Sequence, residues 1–202
     1  MKLYLTPGAC SLTAHIVLQE TGLPYETELV DLETRKTESG RDFTQVNPKG
    51  YVPVLEFDDK QILTEVTAIV QYLAELAPDR QLAPAVGGLE QARLQEWLGF
   101  ISTELHKPFG LLYDPTVPED IKNSAIERLK QRFSFVDEQL ASQDYLLGGQ
   151  YTVADTYLFN MLFWAGGFGL DLSELQSLTA LRNRIMARPE VIAVLKQEGL
   201  AG

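Results

Sequence analysis

The chain predicts a small α/β domain followed by an all-helical one. Two observations carry this: strand-like and helix-like segments alternate up to about Ala77, and strand signals vanish beyond the Pro/Gly-rich stretch Pro78–Gly88. Leu3–Leu5 reads as a strand, Ser11–Thr21 as a helix closed by Gly22, and Tyr25–Leu32 as a second strand with Tyr25, Thr27 and Leu29 on one face. The polar stretch Glu33–Gln45 shows little periodicity. Asn47-Pro48-Lys49-Gly50 then makes a turn into a strand at Tyr51–Phe57. Asp58-Asp59 turns the chain back into Gln61-Ile62-Leu63. Ile69, Val70, Leu73 and Leu76 mark one face of a helix that ends before Pro78.

The boundaries expected are a domain over 1–78, a linker over 79–88 and a helical domain over 89–202. Leu89–Leu112, Pro118–Gln143, Tyr151–Trp164, Leu172–Ala187 and Pro189–Leu200 each read as helix, with Pro118 and Pro189 suited to first-turn positions. Thr152 and Asp155 form a variant capping box, whose expected role is to start a helix.

Composition bounds the function. With 45% hydrophobic residues, 202 residues can bury a full core, and one cysteine cannot form an internal disulfide. Met1-Lys2 leads directly into a strand and no apolar run resembles a leader or a membrane span, so a cytoplasmic protein is expected. A net charge of −11 would repel nucleic acid and anionic lipid, and no concentrated basic patch offsets it. Neither is an expected partner, and no metal site is expected.

Cys10, in Thr6-Pro7-Gly8-Ala9-Cys10-Ser11, stands just outside a helix N-terminus. Unpaired N–H groups and the helix dipole there favour thiolate over thiol, although a lone cysteine also serves as an inert small hydrophobe. Val52-Pro53 precedes a strand. A cis bond there would expose the Val52 backbone N–H and C=O to a peptide ligand, whereas a trans bond would be an ordinary edge-strand proline. Glu65 precedes a helix whose first N–H groups, on Val66 and Thr67, can bind a carboxylate while the Glu65 carboxylate pairs with an ammonium; the plainer reading is a favourable charge at the helix start. His106 lies off the apolar face of its helix, and His15 reads as a core histidine.

A thioredoxin-like fold brings the loops of Cys10, Val52-Pro53 and Thr64-Glu65 to one end of its sheet. With an all-α C-terminal half, the chain resembles the cytosolic glutathione transferases over essentially its whole length. Pro7-Gly8-Ala9-Cys10-Ser11-Leu12, Val46-Asn47-Pro48-Lys49-Gly50, Thr103-Glu104-Leu105-His106-Lys107 and Thr152-Val153-Ala154-Asp155-Thr156-Tyr157-Leu158 are similar to the bacterial beta class. The resemblance implies the order βαβ-α-ββα, then an all-α domain lining the electrophile site.

It also implies glutathione as co-substrate, a hydrophobic electrophile, a homodimer and a detoxifying transferase. Cys10, Ser11 and His106 would serve at the sulfur, with Val52 and Pro53 holding the cysteinyl backbone, Glu65, Val66 and Thr67 the γ-glutamyl end, and Lys107 supplying positive potential. Phe109, Tyr113 and Trp164 would border the electrophile. Two positions depart from the family pattern. Val66 replaces a residue that is commonly serine, and Gly99 replaces an asparagine that helps hold glutathione, so Thr103 or Glu104 would have to substitute. These departures keep open an alternative, a non-enzymatic binding or regulatory protein of the same fold. Two chemistries remain, conjugation by glutathione thiolate and thiol–disulfide exchange through Cys10.

Overall fold

Strand β1 (Lys2–Leu5) is central to a five-stranded mixed sheet of order β3-β2-β1-β4-β5 in the computed structural model, which describes residues 1–201. It pairs in parallel with β2 (Glu26–Asp31), Leu3 opposite Thr27, across helix α1 (Ser11–Thr21). On its other side it runs antiparallel to β4 (Val54–Glu56), Leu3 opposite Leu55, and β4 pairs antiparallel with β5 (Ile62–Thr64). Helix α2 (Val66–Leu76) follows and packs on α1.

Two departures from the expected order fall between β2 and β4. The helix implied there is a single 3-10 turn, Phe43–Gln45, and a two-residue strand β3 (Lys36–Thr37) adds an edge to β2. Phe43 nevertheless anchors this segment, buried with Tyr4, Val30, Val46, Val52 and Val54. The buried face of β2 is Glu28 and Val30, while the face that Thr27 and Leu29 share is exposed, Leu29 at 41%. Glu28 tolerates burial because Ser39 and Lys2 bond its carboxylate, at 2.5 and 3.2 Å. Burial alone would raise its pKa, but the bonds from Ser39, Thr37 and Lys2 hold it at about 2.

Gly22 closes α1 at φ 68°, a left-handed conformation natural to glycine, and a Cβ there would meet the Arg80 guanidinium at 2.8 Å. Helix α1 is buried on nearly every side because α8 (Pro189–Gln197) also packs on it, and Glu20 accepts both arms of the Arg188 fork at 2.6 and 2.8 Å. The first compact unit is therefore Met1–Arg80 with the segment from Ala187 onward, and the second is Gln81–Met186. The last helix, grouped by its sequence position with the helical domain, packs instead in the α/β unit.

The second unit holds α3 (Leu89–Phe100), α4 (Lys107–Tyr113), α5 (Glu119–Leu140), α6 (Val153–Gly167) and α7 (Gln176–Met186). One continuous helix was expected over Leu89–Leu112. The structure inserts a π-helical segment, Ile101–His106, ahead of Pro108. Proline offers no N–H and crowds the carbonyl four residues back, and a widened turn relieves both. Part of the expected linker belongs to this unit, since buried Leu82 accepts the Val153 N–H at 2.9 Å. Helix α6 begins as expected. Asp155 accepts the Thr152 N–H and hydroxyl at 2.8 and 2.9 Å and the Leu146 N–H at 2.8 Å. Burial pushes the Asp155 pKa up to about 6 against the pull of those bonds.

Candidate active site

In the α/β unit, Cys10 is the N-cap of α1, and its thiol donates to the Val52 carbonyl at 3.2 Å. The Val52-Pro53 bond is cis. The expectation that the helix end favours thiolate is corrected here. Burial pushes the Cys10 thiol up to about 12; the N–H groups of Cys10 and Ser11 do favour the anion, but desolvation outweighs them and the Glu65 charge adds to it. Ser11, expected beside the sulfur, is fully buried with its hydroxyl turned to Thr6, accepting the Thr6 N–H and donating to the Thr6 carbonyl, each at 3.1 Å. It braces the loop. The Gly8 N–H donates to Glu198 Oε2 at 2.9 Å, and Glu198 Oε1 meets His15 Nδ1 at 2.7 Å, so His15 is the core histidine expected.

Glu65 enters α2 with φ 74° and ψ 123°, a backbone conformation that a side-chain-bearing residue rarely adopts. Its carboxylate takes Lys49 Nζ at 2.5 Å and the Tyr51 hydroxyl at 2.7 Å, and Lys49 also reaches Thr64 at 3.0 Å. The Glu65 anion holds both Lys49 and Tyr51 above their ordinary pKa values. Lys49 and Tyr51 are rim residues that sequence reasoning missed. The Asn47-Pro48-Lys49-Gly50 segment was read as a turn and a family motif with no role at the site, yet Asn47 bonds the Tyr51 carbonyl at 2.7 Å and the Lys49 N–H at 3.1 Å and so sets both. Val66 is buried, and Thr67 is half-buried with its carbonyl accepting from Gln71 at 2.8 Å. At the start of α2 the first N–H groups lack intrahelical acceptors, so Val66 offers a backbone donor where it lacks a hydroxyl.

In the helical unit, His106 ends the π-helical segment. Its Nδ1 lies 2.5 Å from the Tyr157 hydroxyl, and its ring stands edge-on to Tyr157 and Trp164 at centroid distances of 5.7 and 5.0 Å. Trp164 also meets Phe109 at 5.6 Å and Tyr113 at 5.4 Å, and Phe168 meets the same two rings at 5.8 and 4.7 Å. Phe109 is fully buried and supports this cluster from beneath, whereas Tyr113 is 57% exposed. Tyr157 and Phe168 went unrecognised. Tyr157 lay in a motif read as a helix start and a family resemblance, with no role of its own at the site, and Phe168 carried no reading.

Lys107 is exposed. The Thr103 hydroxyl donates to the Gly99 carbonyl at 2.9 Å, and Glu104 is forked by Arg128 at 2.9 and 3.1 Å and met by Arg132 at 2.7 Å. Those two guanidiniums hold the Glu104 carboxyl below its usual range. Both candidate replacements for the missing asparagine are thus engaged in bonds of their own. Among the described residues, no cluster of His, Cys, Asp and Glu could hold a metal, and no helix is long and apolar enough to cross a membrane.

Residues 8–76 match the family described as glutathione S-transferase, N-terminal domain, and residues 100–189 match the glutathione S-transferase C-terminal domain. The Escherichia coli O157:H7 protein named Glutathione S-transferase GstA is 44% identical over 99% of this chain and all of its own. The chain belongs to the glutathione S-transferase family. A sphingomonad glutathione S-transferase solved with glutathione superposes with a TM-score of 0.96 at 45% identity, and the beta-class enzyme of Sphingomonas chungbukensis with 0.96 at 44%, each covering 100% of both chains. The protein is a bacterial-type beta-class transferase, an enzyme with the mixed-sheet and helical domains of that fold.

Proposed function

We propose that this transferase conjugates glutathione to hydrophobic electrophiles and that Cys10 carries a second reaction, thiol–disulfide exchange. The single observation behind this division is the Cys10 thiol seated on the Val52 carbonyl at 3.2 Å. With its thiol held on that carbonyl and desolvation pushing its pKa up to about 12, Cys10 stays protonated at neutral pH, which supports bound glutathione as the conjugating nucleophile. Its γ-glutamyl carboxylate meets the first N–H groups of α2, its ammonium meets Glu65, and its cysteinyl backbone pairs with Val52. In the helical unit, His106 serves as a hydrogen-bond donor in transfer, and the rings of Tyr113, Trp164 and Phe168 form an apolar wall for the electrophile. With an aryl halide, the glutathione thiolate forms the C–S bond, halide leaves with the bonding pair, and the thiol proton goes to solvent.

In exchange, the Cys10 thiol gives its proton to solvent and the resulting thiolate attacks the sulfur of a glutathione disulfide. The S–S bond breaks, glutathione thiolate leaves, and a mixed disulfide with Cys10 remains, which a second glutathione thiolate resolves. The chain holds one cysteine, so no dithiol cycle operates within it. A ligand amide on Val52 competes for the carbonyl that holds the thiol, which supports exchange only when the site is filled. We also infer a homodimer, for which light scattering is expected to give twice the chain mass. The test of the function is turnover over aryl halides, epoxides and mixed disulfides, with millimolar glutathione raising the melting temperature. No turnover and no shift would leave a fold without the activity.

A further inference from the structure

We propose that Tyr157 is a positioning residue that holds His106 as the neutral imidazole protonated at Nε2. This rests on the reading of His106 as a hydrogen-bond donor in transfer, and it adds what makes that histidine a donor. Tyr157 is 1% exposed and sits in the second turn of α6, whose start is fixed by the bonds between Thr152 and Asp155. Its ring and that of Trp164 stand at 89° and 77° to the imidazole, which sets the plane of His106. Ring contacts leave open which edge of the imidazole faces out. The Tyr157 hydroxyl, 2.5 Å from Nδ1, decides it.

A neutral imidazole has one N–H and one basic lone pair, while a phenol is the stronger acid of the two partners. The matched arrangement is phenol O–H donating into the Nδ1 lone pair, which puts the ring proton on Nε2. A thiolate is stabilised by an N–H and repelled by a lone pair, so this tautomer suits a sulfur donor and the other does not. Tyr157 acts through His106.

The chain holds only two histidines, which makes the protonation sites readable by 15N-edited NMR of the imidazoles, with His106→Gln assigning the signals. In the wild-type protein at pH 8, His106 is expected to be protonated at Nε2 alone. In Tyr157→Phe, which removes one oxygen, it is expected to populate both tautomers, with kcat for an aryl halide falling roughly five- to tenfold and KM for glutathione little changed. Tyr157→Phe in a His106→Gln background is expected to cost nothing further. A wild-type His106 proton on Nδ1 overturns the proposal without any variant. So does an unchanged tautomer in Tyr157→Phe, or the same kcat loss in the His106→Gln background, which marks a structural role. Full transfer activity in His106→Ala, which carries no donor, would instead remove the donor role of His106 and leave the tautomer result to be read by itself.

Discussion

The two units build recognition from different materials. In the α/β unit the groups facing the Cys10 loop are largely backbone: the Val52 carbonyl, the N–H groups of Cys10 and Ser11, and the start of α2, with Glu65, Lys49 and Tyr51 forming a charged rim. In the helical unit they are side chains, a net of edge-on rings around His106 and Trp164. Backbone groups survive substitution, which is why Val66 still offers a donor without a hydroxyl. A ring cluster keeps nothing when a ring is removed. Under the proposed function, the first region suits an invariant peptide ligand, and the second suits adjustment to different electrophiles.

The largest effect on this contrast is expected from Asp155→Ala. It strands the Thr152 and Leu146 N–H groups in the interior of the helical unit, and a stability loss of about 2–4 kcal/mol by chemical denaturation should follow. Next comes Glu65→Ala, which removes the side chain at the strained entry to α2; KM for glutathione should rise by roughly ten- to a hundredfold with a smaller change in kcat. Comparable losses in kcat and in the electrophile KM would show that the rim is not dedicated to one ligand.

The buried carboxylates of the two units also differ in sign with pH. Glu28, depressed from 4.5 to about 2, contributes stability that is present above pH 4.5 and lost as pH falls toward 2. Asp155, raised from 3.8 to about 6, gives a contribution that is present below pH 3.8 and lost as pH rises through 6. In Glu28→Gln the stability deficit should be full at pH 7 and close between pH 4.5 and pH 2, as followed by urea unfolding at stepped pH. A deficit that stays constant with pH would mean that Glu28 acts by packing alone. The smallest effect is expected from Gly99→Asn. Beyond the backbone of its own helix turn and its chain neighbours, no atom lies within 4 Å of the Cβ it adds, and since Thr103 and Glu104 are already engaged, glutathione KM should fall by a few-fold.

Much of the architecture was legible because it rests on local chemistry. Gly22 ends α1, Thr152 and Asp155 start α6, Pro189 opens α8, and the apolar face of α2 follows its period. What escaped depends on contacts remote in sequence. The strand at Lys36–Thr37 is too short to show a pattern, and α8 joined the α/β unit through Arg188 and Glu20. The π-helical turn was implicit in Pro108, but a proline by itself does not say how the helix accommodates it. At the site, the positions of Cys10, Val52 and Glu65 were readable from motifs. The protonation of Cys10 was not, because desolvation is set by the packed loop and overrides the helix end. The Tyr157–His106 pair spans 51 residues and left no local signal.

The division of labour between bound glutathione and Cys10 is tested most directly by Cys10→Ala assayed for both reactions on folded protein. If glutathione is the conjugating nucleophile, transfer to an aryl halide should stay within a few-fold of wild type while reduction of a mixed disulfide disappears. Loss of both activities, with circular dichroism and melting temperature unchanged, would contradict it and make Cys10 essential to conjugation.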